Sequence, residues 1–104
     1  MEFTEAKEKF LTAWGVLGSN WGINRTMAMI HARLLISEKP MSAEDLMSDL
    51  QISRGNTNMN VRELIKWGLA EKVIKPGERK DFFQAEKEIW KIAQRVAEQR
   101  RKRE

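Results

Sequence analysis

Residues that could contact nucleic acid are concentrated in one short stretch of the chain. They are Arg54, Gly55, Asn56, Asn58, Met59 and Arg62, with Asn60 near the edge of the same helical face. In the major groove of DNA, asparagine pairs bidentately with adenine and arginine with guanine. Asparagine is a mediocre helix former, so three of them within five residues need a reason, and Gly55 would let a helix end approach a phosphate. The alternative is a solvated polar face on a helix that starts poorly.

The elements around this stretch are predicted to be a helix, a tight turn and a second helix, over residues 42–68. Ser42 is an N-cap candidate, and Asp45 has the spacing of a capping box. Ser53 is a second N-cap candidate, close enough to the first helix to exclude a long loop, and Gly68 is a C-cap candidate. Apolar spacing predicts the buried faces, which are Leu46, Met47 and Leu50, then Thr57, Val61, Leu64 and Ile65. This order of elements is a helix-turn-helix.

A β-hairpin is predicted over residues 69–85, directly after the second helix. Pro76-Gly77 is a strong turn signal between two short strands at residues 69–75 and 81–85. Leu69, Val73 and Glu71 are expected on one face of the first strand. The basic side chains around the tip are Lys75, Arg79 and Lys80. A hairpin in this position is the wing of a winged helix, which contacts phosphates or a minor groove, and the alternative is an ordinary solvated turn.

Three further helices complete the predicted domain. One covers roughly residues 24–37, with an inner stripe of Met27, Ile30, His31, Leu34 and Leu35. The other two are terminal helices at residues 3–17 and 86–103. The last helix is expected to start with Glu86 and Glu88 in its first turn and to carry a broad apolar face of Ile89, Trp90, Ile92, Ala93, Val96 and Ala97. Because helix-turn-helix proteins commonly bind DNA as dimers, we expect a homodimer built from the terminal helices.

The predicted fold is therefore mainly α with a small β-hairpin, a winged helix-turn-helix flanked by N- and C-terminal helices. It forms a single domain over residues 1–104. The charge distribution agrees with a polyanionic partner, because residues 54–80 carry seven basic and three acidic side chains whereas residues 1–53 carry five and seven. The surface that would meet this partner is the one predicted from the second helix and the hairpin.

Composition argues against several other classes of function. The chain has no cysteine and a single histidine, His31, which we interpret as a core residue, so no metal site and no cofactor are expected. It has no nucleophile–base pair and no phosphate-binding glycine loop, so no catalytic residue and no enzyme activity are predicted. No apolar run could span a bilayer and no signal-peptide core is present, so we expect a cytoplasmic protein without a membrane partner.

Three motifs carry a resemblance to a known family: WGINRTMAMIHA (residues 21–32), ISRGNTNMNVRELIKWGL (residues 52–69) and KPGER (residues 75–79). Over roughly residues 14–97 the chain resembles the GbsR-like branch of the MarR-type winged helix-turn-helix transcriptional regulators. The resemblance implies a dimeric transcription regulator, usually a repressor, that binds double-stranded DNA. It also implies that the helix from Arg54 lies in the major groove and that the hairpin is the wing.

Members of that branch resemble sensors of choline or related osmoprotectant precursors and carry a longer C-terminal region, so a small-molecule effector stays an open question here. An aromatic cage for such a ligand could be imagined from Trp14, Trp21, Trp67 and Trp90. We favour the core for Trp21, Trp67 and Trp90. The alternative function is a winged-helix protein-interaction module that does not bind DNA productively, although such a module has no need of asparagines beside arginines on one face.

Overall fold

The computed structural model describes residues 24–103 of the chain. Within them the elements are α1 (Arg25–Ile36), β1 (Met41–Ser42), α2 (Ala43–Leu50), α3 (Arg54–Lys66), β2 (Ala70–Val73), β3 (Phe82–Ala85) and α4 (Ile89–Arg103). The terminal helix predicted over residues 3–17 lies outside the described residues, as do Trp14 and Trp21. None of the helices within residues 24–103 has the length and apolarity that a membrane span requires.

α1 begins at an asparagine cap and ends against a lysine. Asn24 Oδ1 accepts a hydrogen bond from the Met27 N–H at 2.8 Å, which satisfies a donor at the helix start. At the other end the Lys87 ammonium donates at 2.7–2.8 Å to three carbonyl oxygens, those of Leu34, Leu35 and Ser37. Free carbonyls and the helix dipole both favour a cation there. The predicted stripe is confirmed, with Leu35 half-buried and the others buried, namely Met27, Ile30, His31 and Leu34.

The helix-turn-helix follows the prediction closely. Ser42 Oγ accepts from the Asp45 N–H at 3.1 Å, and Asp45 Oδ2 accepts from the Ser42 N–H at 3.0 Å, which is a complete capping box. α2 closes at Gln51, whose φ of 55° is left-handed, and Ser53 already caps α3 by accepting from the Asn56 N–H at 3.1 Å. The turn between α2 and α3 is therefore as short as expected, and its length restricts how the two helices can be oriented relative to each other.

The buried face of α3 is rotated from the predicted one. Thr57, Val61 and Leu64 are buried as expected, but Ile65 is 37% exposed and Asn60 is only 1% exposed. Each residue turns the helix by about 100°, so Asn60 and Ile65 lie at opposite edges of the buried arc. The prediction placed Ile65 inside because it is apolar and Asn60 near the outer face because it is polar. Both assignments are wrong, because Asn60 has hydrogen-bond partners inside the protein.

The three strands form one antiparallel sheet in the order β1-β3-β2. β2 and β3 are the predicted hairpin, with Ala70 opposite Ala85 and Val73 opposite Phe82. β1 was not predicted, since two residues are too few for a periodic pattern to be visible. The expectation that Glu71 shares a face with Leu69 is wrong, because Leu69 is buried and Glu71 is exposed.

α4 starts later and is less buried than predicted. It begins at Ile89, so Glu86 and Glu88 precede the helix rather than lying in its first turn. Of the side chains that the structure describes on α4, Ile92 and Val96 are buried, whereas Trp90 is 74% exposed and Ala93 and Ala97 are also exposed; the predicted apolar position at Ile89 lies outside the described side chains. The core position expected for Trp90 is therefore wrong, and the one expected for Trp67 is confirmed.

One arginine holds α4 to the end of α3 and the loop before α4. Arg95 Nη1 donates to the Gly68 carbonyl oxygen at 2.5 Å and lies 3.3 Å from Glu86 Oε2. Gly68 adopts a φ of 77°, as a C-cap glycine does, and a Cβ there would lie 3.1 Å from the Arg95 side chain. Gly68 thus ends α3 and leaves space for the arginine.

Candidate nucleic-acid interface

The outward face of α3 carries most of the predicted base-contacting side chains. Arg54, Gly55, Met59 and Arg62 are exposed, and Asn58 is half-buried. Met59 stands out because 54% of this apolar side chain is accessible to solvent. Within residues 24–103, nothing lies within 4 Å of the position that a Cβ at Gly55 would occupy, so this part of the structure leaves the first turn of the helix open. The structure therefore brings these five residues together on one surface.

Asn56 lies at the edge of this face and differs from Asn58. Its Oδ1 accepts a hydrogen bond from Asn60 Nδ2 at 2.8 Å. Among the described residues, no hydrogen bond holds the side-chain amide of Asn58, whereas its backbone oxygen accepts from Arg62 Nε at 3.4 Å. The two asparagines are therefore not equivalent as potential contacts to a base.

The wing is a short turn with basic side chains. Gly77 has a φ of 82°, which glycine adopts without strain, and the Glu78 N–H donates to the Lys75 carbonyl oxygen at 3.1 Å. The Lys75 ammonium lies 4.1 Å from the centre of the Phe82 ring, a cation–π contact that orients it. Arg79 and Lys80 are exposed. The two exposed residues are thus the more available cations of the tip.

A shallow cleft lies between the outward face of α3 and the wing. Its lining includes Asn58, Arg62 and Ile65 from α3 and Lys72, Asp81 and Phe83 from the hairpin. Lys72 Nζ lies 3.5 Å from Asp81 Oδ2 across the hairpin. Because α3 and the strands of the hairpin line the same cleft, the helix and the base of the wing form one continuous surface, which sequence spacing alone did not establish.

An acidic residue lies on this basic surface. Glu44, in the first turn of α2, has its Oε1 atom 3.4 Å from Arg54 Nη1. A backbone N–H at the start of α2, followed by the charges of Arg54 and Lys80, lowers the pKa of Glu44 below its usual value. Sequence analysis missed this residue, because ten positions separate it from Arg54. The capping box was the available signal, since it fixes Glu44 in the turn that faces α3.

Other kinds of site find little support in the described part of the chain. No group of three acidic, histidine or cysteine side chains within residues 24–103 could hold a metal ion. His31 is fully buried in α1, and burial lowers its pKa to about 4, so it is neutral at physiological pH. It lies in the core, as the sequence suggested.

Two curated proteins of Bacillus subtilis (strain 168) resemble this chain, whereas no family model matches it. The HTH-type transcriptional repressor OpcR is 29% identical over 70 residues, which are 67% of this chain and 38% of that protein. The putative HTH-type transcriptional regulator YvaV is 27% identical over 70 residues, 67% of this chain and 40% of that protein. The chain thus spans less than half the length of these relatives.

Solved structures match a larger share of the chain than the two relatives do. A crystal structure of a transcriptional regulator superposes with a TM-score of 0.73 at 24% identity, covering 78% of this chain and 56% of the other. The MarR family transcription regulator SP03579 superposes with a TM-score of 0.63 at 16% identity, covering 97% and 67%. The fold is a winged helix-turn-helix. The ST1889 protein of Sulfolobus tokodaii is also similar, with a TM-score of 0.63 at 20% identity over 90% of this winged helix and 87% of that chain.

Proposed function

We propose that this winged helix is the DNA-binding domain of a transcription regulator that recognises double-stranded DNA sequence-specifically. In this proposal α3 lies in the major groove and the wing contacts the backbone or the minor groove. The observation that carries the proposal is the outward face of α3 with Arg54, Asn58 and Arg62, of which the last two share a cleft with the hairpin whose tip exposes Arg79 and Lys80. Such a surface offers hydrogen-bond donors for base edges beside cations for phosphates.

Each residue of the proposed site has a chemical role. Arg54 and Arg62 would contact guanine or a phosphate, and Asn56 and Asn58 would contact bases. Met59 would pack on a thymine methyl group, since apolar contacts distinguish thymine in the major groove. Gly55 would admit a phosphate close to the start of α3. Contacts of the wing to the phosphate backbone would come from Lys75, Arg79 and Lys80.

We further propose that the chain belongs to the GbsR-like branch of MarR-type regulators and acts as a repressor. The resemblance of its three motifs supports the branch, and the similarity to OpcR, itself named a repressor, supports the direction of regulation. The cytoplasmic location expected from the sequence would follow from a role on chromosomal DNA.

A homodimer is part of the proposal. α4 exposes Trp90, Ala93 and Ala97, which lie on one side of the helix at spacings of three and four residues. An exposed tryptophan beside two small residues suits helix–helix contact with a second copy, and two copies would place two recognition helices on successive half-sites. Sedimentation equilibrium of the chain and of Trp90→Ser tests this. A monomer at micromolar concentrations would contradict the dimer without touching the DNA proposal.

The DNA proposal is tested by fluorescence anisotropy with a labelled duplex from the region upstream of the protein's own gene, against a random duplex, across a salt series. We expect tighter binding to the upstream duplex and an affinity that falls steeply with salt. Absence of binding to any duplex at low salt would contradict the proposal and favour a protein-interaction module. A pull-down of acidic protein partners would then be the next step.

Two variants separate base contacts from phosphate contacts. Arg62→Ala should cost about 1–3 kcal/mol on the preferred duplex and much less on the random one, if it pairs with a base. Lys80→Ala should weaken binding to both duplexes and lower the salt slope by about one. Lys91→Ala removes an exposed cation on α4, a helix that contributes no residue to the proposed surface; it is the matched control and should change neither quantity.

A further inference from the structure

Three asparagines form a hydrogen-bonded chain from the start of α1 to the start of α3. Asn24 Nδ2 donates to Asn60 Oδ1 at 2.9 Å. Asn60 Nδ2 donates to the Asn56 carbonyl oxygen and to Asn56 Oδ1, each at 2.8 Å. Asn60 is almost fully buried, Asn56 is half-buried and Asn24 is exposed. The row of hydrogen-bonded asparagines therefore passes through the buried Asn60 amide to a side chain at the edge of the proposed DNA surface.

Backbone groups at both ends determine which way each amide points. Asn24 Oδ1 accepts from the Met27 N–H at 2.8 Å, and a backbone N–H can only donate. Its Nδ2 must then face Asn60, which presents Oδ1 to it. At the other end the Asn56 carbonyl oxygen can only accept, so it must meet Asn60 Nδ2. The Asn56 atom that shares this Nδ2 is therefore its Oδ1, and flipping any one amide would place two donors or two acceptors together.

We propose that Asn60 is a positioning residue for DNA recognition, because it engages the Asn56 amide oxygen and presents Asn56 to DNA as a hydrogen-bond donor. Asn58 is then the asparagine on α3 that can pair bidentately with adenine. This inference rests on the proposed function, and it assigns different partners to two side chains of the same type. Asn56 contacts an acceptor on a base edge, which is N7 of a purine, guanine O6 or thymine O4.

The distinction follows from what adenine requires. A bidentate pair with adenine uses the asparagine oxygen to accept from N6 and the asparagine nitrogen to donate to N7. The Asn56 oxygen already accepts one of its two possible hydrogen bonds from the buried Asn60 amide, which holds it towards the protein, whereas its nitrogen retains both donors. The Asn58 amide has both groups available within the described structure and lines the cleft beside Arg62. Asn58 thus meets the requirement with both groups free, whereas the Asn56 oxygen is held by Asn60.

Burial explains why the arrangement persists. A side-chain amide inside a protein is costly unless it is hydrogen-bonded, and Asn60 is bonded through both its oxygen and its nitrogen. Rotating Asn56 to release its oxygen would leave a buried Asn60 donor with one partner fewer. The buried amide therefore holds the exposed one in a single orientation.

The first experiment identifies the base contacted by each asparagine. A preferred duplex is selected from random sequences with the full chain, and the positions whose preference disappears in Asn58→Ala and in Asn56→Ala are located. Replacing adenine by purine, which lacks the N6 amino group, should weaken binding roughly tenfold at the Asn58 position. At the Asn56 position, acceptor removal should weaken binding, with 7-deazapurine for a purine N7, 2-aminopurine for guanine O6 or 5-methyl-2-pyrimidinone for thymine O4. Loss of the adenine amino group there should change binding less than twofold.

The second experiment tests the positioning role of Asn60. Asn60→Ser should remove the base preference at the Asn56 position and keep the preferences elsewhere, and adding Asn56→Ala should cause no further loss there. Thr57→Val is the matched control, because it removes a buried hydrogen bond of Thr57 Oγ1 to the Ser53 carbonyl oxygen without touching the amides. It should lower thermal stability and leave all base preferences unchanged.

Asn24→Ser keeps the inference testable if Asn60→Ser does not fold. The serine hydroxyl oxygen can replace Asn24 Oδ1 as the N-cap of α1, but no serine atom replaces Nδ2, which donates to Asn60, so the Asn56 position should lose part of its preference. Uniform weakening on all duplexes in both variants would show that Asn60 is merely structural and would overturn the inference.

The failure of this inference can be told apart from that of the proposed function. If no sequence is enriched by the native chain, the DNA proposal itself fails. If a sequence is enriched but binding at the Asn56 position requires the amino group of adenine, the DNA proposal stands and only the assignment of Asn56 and Asn60 is wrong.

Discussion

The stability of the folded chain should depend on pH through its single histidine. His31 is fully buried, and burial lowers its pKa from 6.5 to about 4. Below pH 6.5 the unfolded chain takes up a proton at this position and the folded chain does not. Protonation therefore favours the unfolded state, and stability falls as the pH falls from 6.5 towards 4.

The size of the effect follows from the two pKa values. Each pH unit between them costs about 1.4 kcal/mol, so the full loss approaches roughly 3 kcal/mol near pH 4. At pH 5, where the folded state is still mostly unprotonated, the expected loss relative to pH 7.5 is about 2 kcal/mol. Glu44 and Glu86 have pKa values below the usual 4.5, so their contributions to the free energy of unfolding are lost mainly below pH 5. The change expected between pH 7.5 and pH 5 is therefore assigned to His31.

The measurement is urea unfolding followed by circular dichroism at one protein concentration, at pH 7.5, 6.5, 5.5 and 5. The free energy of unfolding should fall in the native chain while the urea dependence stays constant, which indicates a true stability change. His31→Gln, which does not titrate, should be less stable at pH 7.5 but nearly independent of pH in this interval. A native chain that keeps its stability down to pH 5, or a variant that falls in parallel with it, would refute the argument.

Three further predictions concern single contacts. Lys87→Met should cost about 1–2 kcal/mol in urea unfolding at pH 7, since three carbonyl oxygens at the end of α1 lose a charged donor that is partly exposed to water. Glu44→Gln should release Arg54 for a phosphate, so binding to random duplex should tighten and the salt slope should rise by about one. Gly68→Ala should destabilise the fold more than Gly77→Ala in thermal unfolding. Both glycines have a positive φ that costs alanine about 1–2 kcal/mol, but only at Gly68 would the new Cβ press on a neighbouring side chain.

Matched variants serve as controls for two of these predictions. Lys91→Met removes an exposed lysine that pairs with Glu88 at 3.6 Å, and it should change stability by less than about 0.5 kcal/mol. Glu98→Gln removes an exposed carboxylate on α4 outside the proposed surface, and it should leave the salt slope unchanged. A rise in the salt slope with Glu98→Gln equal to that with Glu44→Gln would mean that only net charge matters. Equal losses at the two glycines would mean that the Arg95 contact has no cost.

Local chemistry in the sequence determined the order and the ends of most elements. The capping box at Ser42 and Asp45, the serine cap at Ser53, the glycine that ends α3 and the Pro76-Gly77 turn each act over three or four residues, and all four were predicted. The winged-helix fold followed from their order. The polar residues on α3 could also be recognised, because helix spacing groups side chains three and four positions apart.

Only the tertiary structure decided which side chains are inside and which partner each one has. Polarity placed Asn60 near the edge of the outward face and apolarity placed Ile65 inside, yet the Asn60 amide is fully buried because Asn24 and Asn56, one of them 36 positions away, supply its hydrogen bonds. Trp90 was expected in the core by its type and is exposed, since burial depends on what packs opposite a helix. Contacts such as Lys87 with the end of α1 join residues about 50 positions apart. Short-range rules describe neighbours along the chain, whereas burial and long-range hydrogen bonds are set by the packing of elements that meet only once the chain is folded.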